Sequence, residues 1–383
     1  MRLIIQPAAG VAPLLAAIRR AKKSVEIAIF RLDRKDIESA LVAAAARGVR
    51  VTALIAFHNR GGEKRLRQLE QQCLAAGITV ARTADDLIRY HGKYILIDRR
   101  VLYVLSFNFT AIDIDHSRGF GVFTSRQDCL QEAANLFTAD CARTPYAPKI
   151  EKFVVSPANS RRVLGTFLKR ARRQLLIYDP RISDREMLGI LDARARAGVD
   201  VKVIGQVAGQ HSFDVQKLAG MRLHTRTIIR DGLQAFVGSQ SLRPAELDSR
   251  REVGLLVRAP RAVKQLLDTF ELDWSQAGAA RAPMPPVAVE EPAAAVETPV
   301  ENPPAASAKD IAKAVGVFTH ELESLTTTVK QAVREAVEKA GDDVLHDKDV
   351  KDTMKQVVKQ AVKEAVKDAV HEAQEALPQR STV

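Results

Sequence analysis

The chain repeats itself. Residues 17–54 and residues 167–204 align without a gap at a constant offset of 150. Ala21 meets Ala171, Lys22-Lys23 meet Arg172-Arg173, Leu41 meets Leu191, and Gly48-Val49 meet Gly198-Val199. A gapless repeat constrains the architecture strongly, because both copies must form the same supersecondary unit. Each copy reads as helix, strand, helix, strand. Ser24–Phe30 and Leu175–Tyr178 are short apolar bursts. Lys35–Ala46 and Arg185–Ala197 have helical periodicity and end at Gly48 and Gly198, and Val49–Ile55 and Val199–Ile204 are rich in β-branched residues. Alternating strands and helices predict a mostly parallel sheet in each half.

Two polar constellations lie downstream at matched positions. The first is Tyr90-His91-Gly92-Lys93, then apolar Tyr94–Ile97, Asp98, a return through Val101–Leu105, and Ser106-Phe107-Asn108. On a strand, His91 and Lys93 point to one face, and a hairpin would bring them to Ser106 and Asn108. The second is His224-Thr225-Arg226, Asp231, then Ser239-Gln240-Ser241. Fifteen positions separate His91 from Ser106, and fifteen separate His224 from Ser239. A lone His on an apolar strand is usually a hydrogen-bonded core residue. Two in matched frames of a repeat point instead to a pocket holding a phosphate diester.

These residues resemble the phospholipase D superfamily, whose signature is H-x-K-x4-D-x6-G-S-x-N, once per half. The first copy departs where Leu105 replaces glycine. In the second, Arg226 stands for Lys and Ser241 for Asn, while Arg251-Glu252-Val253-Gly254 matches the family's acidic position, whose first-half counterpart is Gly119. The resemblance covers about residues 1–275. It implies an α/β fold of two α/β/α sandwich halves about a pseudo-two-fold axis, bringing both histidines to one cleft. It also implies that His91 attacks phosphorus to give a phosphohistidine and His224 protonates the leaving alcohol, the reverse assignment staying open. Lys93 and Arg226 would stabilise the transition state, with Asp98 and Asp231 in supporting roles or as turn carboxylates. Ser106, Asn108, Ser239 and Ser241 would bind the phosphate, and Glu252 would orient a His. No metal or other cofactor is called for.

Composition divides the chain. Half one is expected over 1–148 and half two over 149–275, followed by a Pro/Ala-rich linker over 276–308. An amphipathic helical tail over 309–377 carries a heptad seam from Ile311 to Ala336. The first 278 residues hold 45 basic and 28 acidic residues, against 13 and 18 in the remainder. So basic a body attracts polyanions. No apolar run reaches the roughly 18–20 residues that span a bilayer, the first 30 residues lack signal-peptide order, and three dispersed cysteines suit a reducing compartment. The expectation is a cytoplasmic protein that contacts anionic membrane peripherally and self-associates through its tail. Three functions compete. They are a phospholipase D-type lipid enzyme, hydrolysing or transferring phosphatidyl groups, a metal-independent nuclease, and a weakly active polyanion-binding module.

Overall fold

Lys35–Ala46 and Arg185–Arg196 alternate apolar and polar residues at helical spacing and so bury one stripe each, while the β-branched runs beside them pair into sheets. The computed structural model describes residues 1–58 and 63–279. The first half opens with β1 (Arg2–Gln6), α1 (Ala12–Arg20), β2 (Ser24–Ile29), α2 (Lys35–Ala46) and β3 (Arg50–Ile55). It continues through α3 (Glu63–Ala75), β4 (Thr79–Arg82), β5 (Arg89–Tyr90), β6 (Tyr94–Ile97) and β7 (Val101–Leu105). It closes with α4 (Ala111–Asp115), β8 (Ser117–Thr124) and α5 (Gln127–Ala142). The second half runs β9 (Phe153–Val155), α6 (Ser160–Lys169), β10 (Gln174–Ile182), α7 (Arg185–Arg196), β11 (Asp200–Val207) and β12 (Asp214–Gln216). Then come β13 (Arg222–Leu223), β14 (Arg226–Arg230), β15 (Gln234–Gly238), α8 (Pro244–Asp248), β16 (Arg250–Arg251), β17 (Val253–Val257) and α9 (Pro260–Ala279).

The strand order is β1-β8-β7-β6-β2-β3-β4 in one sheet and β9-β17-β15-β14-β10-β11-β12 in the other. Strand for strand the two paths match, while α3, between β3 and β4, has no counterpart between β11 and β12. The expectation of mostly parallel sheets does not hold. Only β2-β3, β3-β4, β10-β11 and β11-β12 are parallel along these paths, and the remaining neighbours are antiparallel. The helix-bearing repeat forms the parallel part. In the segment after it, β6 and β14 turn tightly into β7 and β15, and the short helices α4 and α8 lead on to β8 and β17 without a crossover, so these neighbours pair antiparallel.

Each sheet has an outer core against its own helices, Leu14, Ile18, Ile37 and Leu41 in the first half and Leu164, Leu168, Met187 and Leu191 in the second. A third core joins the halves. Tyr94, Leu96, Val104 and Phe120 meet Leu176, Tyr178, Val237 and Leu255 there, with Phe137 of α5 and Phe270 of α9. The two halves therefore share apolar burial, which fixes their relation rigidly enough to build a site between them. Helix α9 runs on to Ala279, with Ala277 buried, so residues 276–279 are helical rather than linker. The rest of the linker and the heptad seam lie outside the described residues. Among the described residues no helix is long and apolar enough to cross a membrane.

Candidate active site

Each histidine is delivered by a short strand that crosses to the other half. Strand β5 pairs with β16, Arg89 facing Arg250 and Tyr90 facing Arg251, and His91 follows. Strand β13 pairs with the start of β8, Arg222 facing Ser117 and Leu223 facing Arg118, and His224 follows. The His91 N–H donates to the Arg251 carbonyl at 2.7 Å, and the His224 N–H to the Arg118 carbonyl at 3.1 Å. Two buried ion pairs anchor these crossings, Arg118 to Asp273 of α9 at 2.8 Å and Arg251 to Asp140 of α5 at 3.2 Å. Losing either partner would strand a buried charge. His91 and Lys93 thus sit in an extended link ahead of β6 rather than within a strand.

Glu252, fully buried, lies 2.9 Å from His91 Nδ1. With Nδ1 engaged, Nε2 is the nitrogen left for chemistry. The Phe30 ring meets the imidazole edge-on at 4.5 Å between centroids. Lys93 Nζ donates to the His91 carbonyl at 2.6 Å, and Arg226 Nη1 donates to the His224 carbonyl at 3.0 Å, so the two cations hold equivalent places. Arg226 Nε also donates to Ser241 Oγ at 3.2 Å, and the Ser241 N–H donates to Glu246 at 2.8 Å.

Burial governs the electrostatics. It pushes His91 well below its usual value, with the Lys93 and Arg226 charges adding to it. Burial does the same to His224, helped by Arg226, Arg222 and Lys93. Lys93 is brought down to about 7, again by burial, and Glu252 is raised by burial against the pull of Lys93. A neutral imidazole on a carboxylate, surrounded by cations, can attack an electron-poor centre bearing negative oxygens.

Both histidines line a cleft of about 580 Å³, with Arg31, Arg65, Arg89 and Arg222 beside Phe30, Leu32, Leu66 and Ile112. Asn108 lines it too, its Nδ2 donating to Asp113 at 2.6 Å. The family model described as "Cardiolipin synthase, PLD-like domain" matches residues 14–141 and 164–274. The chain belongs to the phospholipase D superfamily.

Within curated sequences it is similar to the polyphosphate kinase of Vibrio parahaemolyticus, 24% identical over 288 residues that cover 67% of this chain and 41% of that protein. It is likewise 24% identical over 296 residues to the polyphosphate kinase of Klebsiella pneumoniae, covering 67% of this chain and 42% of that one. The chain therefore spans well under half the length of these relatives. Among solved structures, polyphosphate kinase from Porphyromonas gingivalis shares the fold with a TM-score of 0.60 at 20% identity, covering 71% of this chain and 50% of that one. Phosphatidylserine synthase from Haemophilus influenzae does so with a TM-score of 0.56 at 10% identity, covering 72% and 86%.

The departures from the phospholipase D signature have local explanations. Leu105 faces Gly121 across β7 and β8, and a Cβ on Gly121 would come within 2.7 Å of the Leu105 side chain, so one glycine makes room for the other's replacement. In the second half both facing positions, Gly238 and Gly254, are glycine, and the Phe236 ring fills the space. Beside Ser241, which accepts from Arg226, lies a buried carboxylate. Asp179 accepts the Leu242 N–H at 2.8 Å beside Ser241, and burial raises it to about 7.

Two expected site residues, Asp98 and Asp231, lie elsewhere, and two more are held in the sheet pairing. Ser106 and Ser239 are fully buried, each accepting a backbone N–H from the facing strand, Phe120 at 2.9 Å and Val253 at 3.1 Å. Neither lines the cleft, and Ser239 also bonds the Glu252 carboxylate that meets His91. Asp98 and Asp231 sit at the far ends of β6 and β14, about 20 Å along the chain from each His at strand rise. Asp98 collects the N–H groups of Lys22, Lys23 and Ser24 at 2.6–3.1 Å, and Asp231 those of Arg172, Arg173 and Gln174 at 2.7–3.1 Å. Burial works against both carboxylates, yet these donors hold them below the usual range. They are turn caps. Asp98→Ala is expected to cost about 1–3 kcal/mol in stability, read by urea unfolding, with the rate per folded molecule unchanged. A large rate loss at native stability would return it to the active site.

Asp113, Glu246, Phe30 and Arg222 were not anticipated. Two of them carried a signal, because Asp113 and Glu246 each lie 22 residues after their His, at the third position of α4 and α8.

Proposed function

We propose that this chain transfers or hydrolyses phosphatidyl groups, through a phosphohistidine formed on His91. The pairing of Glu252 with His91 at 2.9 Å carries the reading, because it turns Nε2 into the free nucleophile of a cationic cleft. His224 has no comparably close carboxylate and takes the part of the acid. An anionic phosphate offsets the repulsion from Arg226, Arg222 and Lys93 and so brings His224 toward its protonated form. Lys93 and Arg226 neutralise the equatorial oxygens of the five-coordinate transition state.

The cleft's composition supports the lipid substrate. Arginines suit the phosphate, and the exposed Ile112, with Leu32 and Leu66 behind it in the cleft lining, supplies apolar surface for the glyceride beside it. A nucleic acid is less well served. Phe30 is buried against His91, with the Arg31, Arg89 and Lys93 cations 5.2–5.6 Å from its centroid, and has no face open to a base. A second reading draws on the relatives named polyphosphate kinase and on the arginine at the signature lysine position. Arginine binds a run of phosphates bidentately where lysine does not.

Full-length protein in EDTA is tested with phosphatidylglycerol vesicles, inorganic polyphosphate and single-stranded DNA. Turnover of the vesicles, with labelled phosphatidyl group retained on protein after a low-pH quench, is the expected result. Turnover of polyphosphate or DNA alone would replace the lipid with that substrate.

A further inference from the structure

The two crossings predict where a carboxylate should meet each histidine, and only one is filled. His91 donates its N–H to Arg251, and the next residue, Glu252, reaches its imidazole. His224 donates its N–H to Arg118, and the next residue is Gly119. Nothing could be grown there cheaply. A Cβ at Gly119 would lie 2.9 Å from the ring of the buried Phe107.

Another carboxylate has moved into range. Asp113, 1% exposed, places Oδ2 3.4 Å from His224 Nδ1. Among the described residues that nitrogen is buried with no hydrogen-bond partner. Asp113 itself is held hard. Its Oδ2 accepts from the Asn108 N–H at 3.0 Å and from Asn108 Nδ2 at 2.6 Å, and its Oδ1 takes the Arg222 guanidinium from the strand that carries His224. Its repeat counterpart, Glu246, does different work. Glu246 accepts the Ser241 N–H and pairs with Arg243 and Arg250, with Arg226 at 4.0 Å.

We infer that Asp113 is the positioning carboxylate of His224, a replacement from α4 for the one that Gly119 cannot supply. It rests on the proposed acid role of His224. As His224 gives its Nε2 proton to the leaving oxygen, the Nδ1 proton stays on the ring, and the carboxylate accepts its hydrogen bond and fixes the ring's rotation. The balance is one proton from imidazolium to alkoxide, giving neutral imidazole and alcohol. Arg222, half exposed at the cleft, lies where a substrate phosphate competes with Asp113 for it. Arrival of the phosphate then slackens the hold on Asp113 and lets it close the remaining gap.

The test separates an acid's helper from a structural residue by leaving group. A nitrophenolate departs without a proton and an alkoxide does not. Asp113→Asn should lower kcat/KM on phosphatidylglycerol by about 10- to 100-fold, a fraction of what a general acid contributes. On bis(p-nitrophenyl) phosphate the loss should stay within about 3-fold. His224→Ala should show the same selectivity, larger in size. Equal losses of Asp113→Asn on both substrates, with His224→Ala still selective, would make Asp113 structural and overturn the inference alone. An unselective His224→Ala would remove the acid role, and the inference with it. If Asp113→Asn does not fold, Asp113→Glu carries the test. A displaced carboxylate should slow the lipid and spare the nitrophenyl ester, and equal losses would again overturn the assignment.

Discussion

His91→Ala is expected to abolish covalent labelling and to lower kcat by about 10⁴-fold or more, the order found when an enzyme loses its covalent nucleophile. The argument rests on three features of the same side chain. Its Nδ1 is committed to Glu252 at 2.9 Å, its ring is wedged against Phe30, and burial among cations keeps it neutral. A neutral imidazole with one nitrogen fixed has a lone pair aimed by its surroundings, and attack needs no prior deprotonation. His224→Ala should behave differently. With bis(p-nitrophenyl) phosphate the adduct should still form, because a nitrophenolate leaves unaided, and it should then persist for want of a base to activate water. Low-pH quenching and peptide mapping distinguish the cases. An adduct that survives His91→Ala and disappears in His224→Ala would exchange the two roles.

Much of this arrangement could be read from the residues, and the failures have physical causes. The repeat gave the helix–strand units because its apolar spacing records burial on one face of each helix. It said nothing of strand direction past Ile55, since Tyr94–Ile97 alternates no differently in a parallel or an antiparallel neighbour. His91, Lys93, His224 and Arg226 were legible because a matched frame in two copies is rare without a shared site. Asp98 and Asp231 were not separable from catalytic groups by spacing alone. A carboxylate seven residues after a His can end a hairpin or face a substrate, and only the three N–H groups gathered from the α1–β2 and α6–β10 turns decide between them. Ser106 and Ser239 share the parity of Asn108 and Ser241, and spacing alone did not show that each hydroxyl also accepts an N–H from the facing strand. Gly119 marked a missing carboxylate, while the matched spacing that singles out Asp113 ties it to His91, and its reach to His224 is a tertiary contact between the halves.

Lys93 should set stability and activity against each other as pH rises. Its ammonium is 1% exposed, and burial lowers it to about 7 against an ordinary value of 10.5. In the unfolded chain the same group stays protonated to about pH 10. Between roughly pH 7 and 10 the unfolded state therefore binds more protons than the folded one, and unfolding free energy rises with pH through this group. Activity should move the other way. The ammonium sits beside His91, where it can neutralise a non-bridging oxygen only while charged, so kcat/KM should fall as pH climbs above about 7. Lys93→Met removes both slopes at once. It is expected to lower kcat by about 10²- to 10³-fold, the size of one lost electrophilic contact, and to be at least as stable as wild type near neutral pH. Glu252, His91 and His224 also titrate, so the measurement is the difference between wild type and variant in urea unfolding and in kcat/KM across pH 6–10. Parallel pH profiles for the two proteins would show that Lys93 keeps its full charge in the cleft. A variant that is both less stable and barely slower would make the lysine a packing element, its ammonium serving the His91 carbonyl instead of a substrate oxygen.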